Sequence, residues 1–272
     1  MKPEPRYLGV SVLDGGKPVY HVAVKSRNVP GALGDIATRI GKAGLNIITA
    51  NDCSLPEAAD SAVSFFVEPR VEGASEEDVK QALATSPFVT EVHVRRNESK
   101  LLIDDFGFPV MFFPSGRAVI FPQSGVMAMF RDIVRMFGTG GESILFRAGH
   151  SVGARGTNDV AKAVGEDHLR LHWETFTAFY AALGWGKMEV VDAAPDLSSY
   201  KLRLTHGFES DGAKAVKPNC HFTRGMVSGS AERIYGTPVT CVEEKCTAAG
   251  DPHCLFTVSK RPGASKSGSS WS

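Results

Sequence analysis

The residues with the clearest chemical potential lie close together near the end of the 272-residue chain. Four of its five cysteines fall in one short window, namely Cys220, Cys241, Cys246 and Cys254. Gly250-Asp251-Pro252 marks a turn between the last two of them. Because alternate residues of a strand share a face, a hairpin over 237–260 would bring Glu243, Cys246 and Cys254 close together.

Three thiolates and one carboxylate can complete a tetrahedral zinc shell. A closed shell leaves no place for a reacting water, so such a site would be structural and would contribute to folding. The residues alone fit buried free cysteines equally well, since cysteine often acts as a small hydrophobic residue. Cys241 suits that second interpretation, Cys53 lies apart from the group, and His253 competes with Glu243 as the fourth ligand.

The end of the chain resembles the 4-vinyl-reductase (4VR) domain. The matching residues are Cys220-His221-Phe222-Thr223-Arg224-Gly225 with Gly229, then Glu243-x2-Cys246, Gly250-Asp251 and Cys254. The resemblance covers about residues 107–260 and is specific in its last third. Further upstream, Trp185 in Leu183-Gly184-Trp185-Gly186 also fits the family pattern.

This family is a small-molecule-binding fold related to a vesicle-tethering subunit, and it forms the sensory part of phenol-responsive bacterial transcription activators. Those sensors hold zinc with a Glu-x2-Cys-x7-Cys pattern and an upstream Cys. The resemblance therefore implies an α+β domain that senses a small apolar or aromatic molecule. It also implies a structural zinc ion bound by Cys220, Glu243, Cys246 and Cys254.

Helices must position this cluster. A predicted amphipathic helix that ends at Gly138 carries the apolar positions Val126, Met129, Phe130, Ile133 and Phe137. A later helix, near 221–235, has Gly225 and Gly229 one turn apart, so it could approach a neighbouring helix closely.

Aromatic residues concentrate in a largely helical stretch over 159–183, which Gly165 could divide into two helices. Small-molecule pockets are mostly apolar with a few polar groups, so the second half of this stretch could line a cavity. The candidate ligand contacts are Trp173, Phe176, Tyr180 and Trp185.

The first part of the chain, residues 1–95, alternates between short strands and helices. The predicted order is β-α-β-β-α-β, the ferredoxin-like arrangement, with an extra strand in front. A polar stretch at 96–106 is predicted to link this domain to a second one at 107–260, and residues 261–272 to form a disordered tail.

A turn in this first domain, Asn28-Val29-Pro30-Gly31-Ala32-Leu33, lies between a strand and a helix. The first N–H groups of a helix lack partners and can bind a carboxylate. The alternative is that Pro30-Gly31 simply makes the turn.

This turn and the later Gly44-Leu45-Asn46-Ile47 resemble the ACT domain over about residues 17–95. ACT domains are regulatory modules, and many respond to an amino acid. The resemblance implies that one side of a ligand site would be framed by Asn28, Pro30, Gly31, Ala32 and Leu33, with Asn46 and Ile47 nearby.

Composition excludes several classes of function. Lys plus Arg and Asp plus Glu both number 30, so the chain lacks the basic excess expected of a nucleic-acid binder. No apolar run of about 18 residues predicts a membrane span. The start lacks the apolar core of a secretion signal, and the odd number of cysteines favours a cytoplasmic protein with reduced thiols.

Motifs for catalysis are not visible. The sequence contains no nucleophile elbow, phosphate-binding loop or dinucleotide fingerprint. His168 and His172 stand four residues apart but lack the glutamate of a zincin site. These observations favour a protein that is not an enzyme.

The sequence therefore predicts a two-domain α+β ligand sensor. Both families tend to self-associate, which implies a homodimer, and any output would pass through a downstream protein partner because no helix-turn-helix or ATPase segment is present. Two alternatives stay open: an enzyme or accessory factor of a reductive, tetrapyrrole-type pathway, and a dimeric scaffold without a ligand.

Overall fold

The computed structural model describes residues 7–54, 58–70, 75–96, 100–112, 116–165, 172–194 and 198–261. The chain divides into two compact units, Met1–Val110 and Met111–Ser272. Apart from Arg261, the tail predicted to be disordered lies outside the described residues, as does His168. Within the described ranges, no helix combines the length and the apolar character needed to cross a membrane.

Unit 1 has a four-stranded antiparallel sheet in the order β3-β4-β2-β5. In chain order its elements are β1 (Ser11–Leu13), β2 (Tyr20–Arg27), α1 (Ala32–Lys42), β3 (Leu45–Asp52), β4 (Asp60–Pro69), α2 (Glu76–Ala84), β5 (Val89–Arg96) and β6 (Leu101–Ile103). From β2 to β5 this is the β-α-β-β-α-β order that the sequence predicts, and β1 is the extra strand in front.

The core of unit 1 lies between this sheet and its two helices. Alternate residues of β2, including Val22 and Val24, pack against Ile36 of α1 and Leu83 of α2. The side chains between them face the opposite side of the sheet, because successive residues of a strand alternate in direction.

The opposite side of the sheet carries β1 and β6, which pair antiparallel with Leu102 across from Val12. Leu102 is buried in a small cluster with Val19 and Phe66. The segment 96–106, predicted to be a polar link, thus supplies a strand and a core side chain to unit 1, and the boundary between the units falls after Val110. Polar residues at the start of this segment obscure the apolar triplet that forms β6.

Asp104, directly after β6, anchors this layer in a buried polar network. Its carboxylate accepts hydrogen bonds from the Ser64 hydroxyl, the Asn51 amide and the Phe106 N–H, and Oδ1 lies 3.0 Å from His21 Nε2. Burial lowers the pKa of His21. Burial raises the pKa of Asp104, but the hydrogen bonds from Ser64 and Asn51 outweigh it and hold that pKa below its usual value.

Unit 2 has an antiparallel sheet in the order β11-β12-β10-β9 and four helices. In chain order its elements are β7 (Met111–Phe112), β8 (Gly116–Arg117), α3 (Gln123–Phe137), α4 (Thr139–Val164), α5 (His172–Ala182), β9 (Lys187–Ala193), β10 (Ser199–Thr205), α6 (His221–Tyr235), β11 (Val239–Lys245), a 3-10 helix (Thr247–Ala249) and β12 (Cys254–Lys260). The predicted break at Gly165 is the end of α4.

The predicted amphipathic helix is α3, but its apolar side is only partly covered. Phe130 is buried, whereas Met129 is 53% and Phe137 is 57% exposed. The helical spacing is therefore a correct guide to the element and a poor guide to which of its side chains enter the core.

Helices α4 and α6 cross with their backbones in contact. A Cβ atom at Gly225 would lie 2.0 Å from the Phe146 carbonyl oxygen of α4. Three more glycines meet the facing backbone at 2.0–2.1 Å in the same way: Gly149, Gly153 and Gly229. The prediction that the Gly225 and Gly229 spacing allows a close approach is confirmed, and α4 carries the matching pair.

Candidate metal centre and adjoining aromatic cluster

Four short segments of unit 2 meet at one buried point. Cys220 is the residue immediately before α6, Glu243 lies in β11, Cys246 precedes the 3-10 helix, and Cys254 begins β12. Their ligand atoms all lie within 4.8 Å of one another. We call these four residues the Cys3Glu cluster. The structure thus brings together all four residues that the sequence singles out as metal ligands.

The three sulfur atoms form a nearly regular triangle. Cys220 Sγ lies 3.8 Å from both Cys246 Sγ and Cys254 Sγ, and the third side measures 4.0 Å. A disulfide would require about 2.05 Å between two sulfurs, so these are separate thiols in contact.

Glu243 completes the group from the adjoining strand. Its Oε2 accepts a hydrogen bond from the Cys220 N–H at 2.9 Å, while its buried Oε1 has no hydrogen-bond partner. Burial raises the pKa of the Glu243 carboxyl. An acceptor oxygen in this position costs free energy unless a donor or a cation meets it.

Polar groups around the cluster fix the sulfur positions. The Thr247 N–H and the Ser210 hydroxyl each lie 3.4 Å from Cys254 Sγ. The Asn219 side-chain oxygen lies 3.4 Å from Cys246 Sγ, and the Asp251 carboxylate accepts the Cys246 N–H at 2.9 Å. This last bond closes the turn that the Gly-Asp-Pro sequence predicts.

The three thiols differ in acidity because they compete for protons. Contacts with Cys220 and Cys246 lower the pKa of the Cys254 thiol, and the bonds from Ser210 and Thr247 lower it further. Contacts with its two neighbours, together with burial, raise the pKa of Cys220. The cluster therefore favours a negative charge on Cys254 first.

The other cysteines lie outside this cluster. Cys241 is buried on its own, which raises the pKa of its thiol to about 12, and Cys53 is an exposed thiol of unit 1. His253, the rival of Glu243, is not part of the group of ligand atoms.

Glu209, which the sequence analysis did not identify, lies beside the cluster at the start of α6. It is 3% exposed, and its carboxylate accepts the N–H groups of Phe222 and Thr223 at 2.9 and 2.8 Å. Burial raises its pKa to about 7, against the lowering effect of these bonds. A glutamate in a loop well before the helix that it contacts shows no spacing signal that would reveal this role.

The predicted ligand contacts form a packed group of rings. Trp173 contacts Phe176, Phe176 contacts Tyr180, and Tyr180 contacts Trp185, with ring centroids 5.4–6.1 Å apart. Trp185 in turn contacts Phe208 at 6.1 Å. We call these five residues the aromatic cluster. The structure brings the four predicted residues into one chain of contacts and adds Phe208.

A hydrogen bond joins the aromatic cluster to α6. The Tyr180 hydroxyl lies 3.1 Å from the Thr223 hydroxyl, and both side chains are buried. Burial also raises the pKa of Tyr180 far above its usual value, so this hydroxyl keeps its proton.

In unit 1 the residues predicted to frame an amino-acid site lie where the sequence places them. α1 begins at Ala32 after Gly31, whose φ of 90° is a conformation that suits glycine. The Asn28 amide donates to the Ala58 carbonyl at 2.9 Å, and the Asn46 amide donates to the Glu68 carboxylate at 3.2 Å.

The remaining residues of that set differ in environment. Ala32 is buried, Ile47 packs against the core, and Leu33 and Pro30 are exposed. Their role in binding an amino acid stays a prediction.

Comparison with known proteins identifies the C-terminal segment. Residues 207–260 match the family model of the 4-vinyl-reductase (4VR) domain, a span that includes the whole Cys3Glu cluster. Two uncharacterized proteins of Methanocaldococcus jannaschii are 39% identical over 54 residues and 27% identical over 88 residues. These matches span only 24% and 52% of the two relatives' own lengths.

Similar solved structures cover about half of the chain. The phenol-responsive sensory domain of the transcription activator PoxR, with phenol, is 19% identical with a TM-score of 0.45, over 53% of this chain and 77% of that one. A vinyl-4-reductase family protein from Methanocaldococcus jannaschii is 18% identical with a TM-score of 0.39, over 53% and 84%. A trafficking protein particle complex subunit 3 from Naegleria fowleri, bound to palmitic acid, is 13% identical with a TM-score of 0.43, over 51% and 95%.

Proposed function

We propose that unit 2 is a small-molecule-sensing domain of the 4VR type, built around a structural zinc ion held by Cys220, Glu243, Cys246 and Cys254. The observation that carries the metal half of this proposal is the convergence of three sulfurs and one carboxylate from four separate segments. The match of residues 207–260 to the 4VR domain supports the sensing half.

The spacing of the sulfurs suits a tetrahedral zinc shell. Zinc–sulfur bonds of about 2.3 Å at tetrahedral angles separate two sulfurs by about 3.8 Å. The three distances in the cluster are 3.8, 3.8 and 4.0 Å. The partnerless Glu243 Oε1 is an oxygen donor available for the fourth position.

A metal bound there would be structural. Three sulfurs and one carboxylate complete a four-coordinate shell, so no position is open to a substrate or a reacting water. The ion would tie the start of α6 to β11, the 3-10 helix and β12, and its binding would contribute to the folding free energy of unit 2.

The ligand proposed for this domain is a small apolar or aromatic molecule. The aromatic cluster supports this choice, because its rings supply apolar surface and the Tyr180 hydroxyl supplies a polar group near them. Homodimer formation and a downstream protein partner are predictions that neither half of the proposal needs.

Metal analysis of the purified chain tests the zinc proposal. We expect about one zinc per chain in the wild type, and its loss in Cys246→Ser. Cys241→Ser is the matched control, since Cys241 is also buried in unit 2 but lies outside the cluster. Equal zinc content in the two variants, or a wild type without metal, would overturn the ligand assignment.

Titration with phenol as a probe tests the sensing proposal. We expect saturable binding in calorimetry and a change in tryptophan fluorescence, both weakened by Phe176→Leu. Phe88→Leu, in unit 1, is the control. A protein without phenol affinity at millimolar concentration, or one weakened equally by both substitutions, contradicts a site in the aromatic cluster.

A further inference from the structure

The corner between β10 and α6, residues 207–210, contacts both clusters of unit 2. Phe208 belongs to the aromatic cluster, and its N–H donates to the Trp185 carbonyl at 2.9 Å. Ser210 contacts Cys254 Sγ, and Glu209, between them, contacts the first turn of α6. Three consecutive residues thus face three different parts of the site.

Glu209 occupies a position where a carboxylate is especially effective. The first N–H groups of a helix have no acceptor within the helix, and the helix dipole favours negative charge at that end. Glu209 accepts two of these groups, from Phe222 and Thr223. Because Cys220 is the capping residue of the same turn, the carboxylate fixes the backbone that carries one sulfur of the Cys3Glu cluster.

The same turn also receives the aromatic cluster. Thr223, whose N–H is held by Glu209, contacts the Tyr180 hydroxyl with its own hydroxyl at 3.1 Å. Displacement of Tyr180 or Phe208 would therefore act on the first turn of α6 through Thr223 or Glu209, and on Cys254 through Ser210.

We propose that Glu209 is a positioning residue for the Cys3Glu cluster, and that residues 207–210 couple the aromatic cluster to the metal. This inference rests on the proposed function, since it requires a metal in the cluster and a ligand near the rings. It assigns a role to a residue that touches neither of them.

Cobalt substitution provides a test with a spectroscopic readout. Tetrahedral cobalt bound to thiolates absorbs visible light, and its spectrum reports the geometry of the ligands. We expect Glu209→Gln to bind cobalt about 10- to 100-fold more weakly in competition with a chromophoric chelator, as is typical when a group that orients metal ligands is lost. We also expect an altered spectrum per bound ion, measured well below the unfolding temperature.

Glu232→Gln is the matched control for general destabilisation. Glu232 is also a partly buried glutamate of unit 2, and it accepts the Val239 N–H and contacts His150 at 2.8 Å, away from the cluster. We expect lower thermal stability with an unchanged cobalt spectrum and affinity.

Glu209→Asp covers the case in which Glu209→Gln does not fold. Aspartate keeps the charge but is one methylene shorter, so we expect a smaller loss of affinity in the same direction. Wild-type affinity and spectrum in either folded Glu209 variant would overturn the positioning role. A wild type that binds neither zinc nor cobalt would instead overturn the proposed metal centre, and the positioning role with it.

Phenol added to the cobalt-loaded protein tests the coupling. We expect a spectral change in the wild type and a much smaller one in Phe208→Leu at equal phenol occupancy. Phenol binding without any change in the wild-type cobalt spectrum would overturn the coupling. Absence of phenol binding would overturn the sensing half of the proposed function, while the Glu209 variants still decide the positioning role.

Discussion

Both units bury a polar cluster beside a sheet, but the two clusters differ in their balance of donors and acceptors. Around Asp104 in unit 1, one carboxylate meets a hydroxyl, an amide and a backbone N–H, with His21 beside it. Around Cys254 in unit 2, three thiols and a carboxylate meet one another. The first cluster can stabilise a fold as it stands, whereas the second gathers groups that become anionic and therefore calls for a cation.

Removal of metal is the strongest way to separate the two units. Structural zinc contributes on the order of 10 kcal/mol to small zinc domains, which is comparable to the whole stability of a typical protein. We expect a chelator to abolish the protection of unit 2 amides in hydrogen exchange mass spectrometry and to leave unit 1 amides protected. Equal loss of protection in both units would contradict the difference between the clusters.

The glycine crossing tests how far the unit 2 cluster depends on the placement of α6. In Gly225→Ala the new methyl would lie 2.0 Å from a backbone carbonyl oxygen, so we expect a loss of about 3 kcal/mol in urea unfolding of unit 2. Gly156→Ala in α4, where a Cβ meets nothing within 4 Å, should instead stabilise the helix by about 0.5–1 kcal/mol. Similar effects of the two substitutions would mean that the helices can separate freely.

Asp104→Asn breaks the corresponding network in unit 1. An amide keeps one acceptor but turns an NH2 toward the Ser64 and Asn51 donors, so we expect a loss of about 2 kcal/mol confined to unit 1. Asp105→Asn is the control, because Asp105 is exposed and its ion pair with Arg95 should contribute little. A Tm change of unit 2 in the Asp104 variant would contradict the independence of the two clusters.

Acid provides the smallest and most specific test. Burial lowers the pKa of His21 below 6.5, so the unfolded chain binds the proton first and stability falls as the pH drops below about 6.5. The slope for this one group cannot exceed about 1.4 kcal/mol per pH unit. We expect His21→Gln to flatten the pH dependence of unit 1 amide protection in this range, while His93→Gln, at an exposed position, should not.

The comparison of the two clusters also explains what the sequence can predict. Glu243, Cys246 and Cys254 lie within one hairpin, so their convergence follows from strand alternation and a turn signal. Cys220 joins them from the start of α6, and only the family resemblance placed it in the group.

The unit 1 network was missed because its members come from four distant segments and include no unusual residue type. Asn51, Ser64 and His21 look like ordinary polar positions of strands, and Asp104 lies in a stretch whose polar start indicated a linker. Glu209 was missed for a related reason: its partners are backbone N–H groups, which leave no trace in side-chain spacing.

The glycine pairs of α4 and α6 also limit how α6 can move. Each glycine faces a carbonyl across the crossing, and the pairs repeat every four residues. A slide of one or two residues along the axis would press side chains against the opposite backbone, whereas a slide of about one helical turn, roughly 5–6 Å, would bring glycine to a new carbonyl. Mechanically the crossing is a ratchet rather than a bearing, so small shifts at the start of α6 must bend its first turn or carry α4 along.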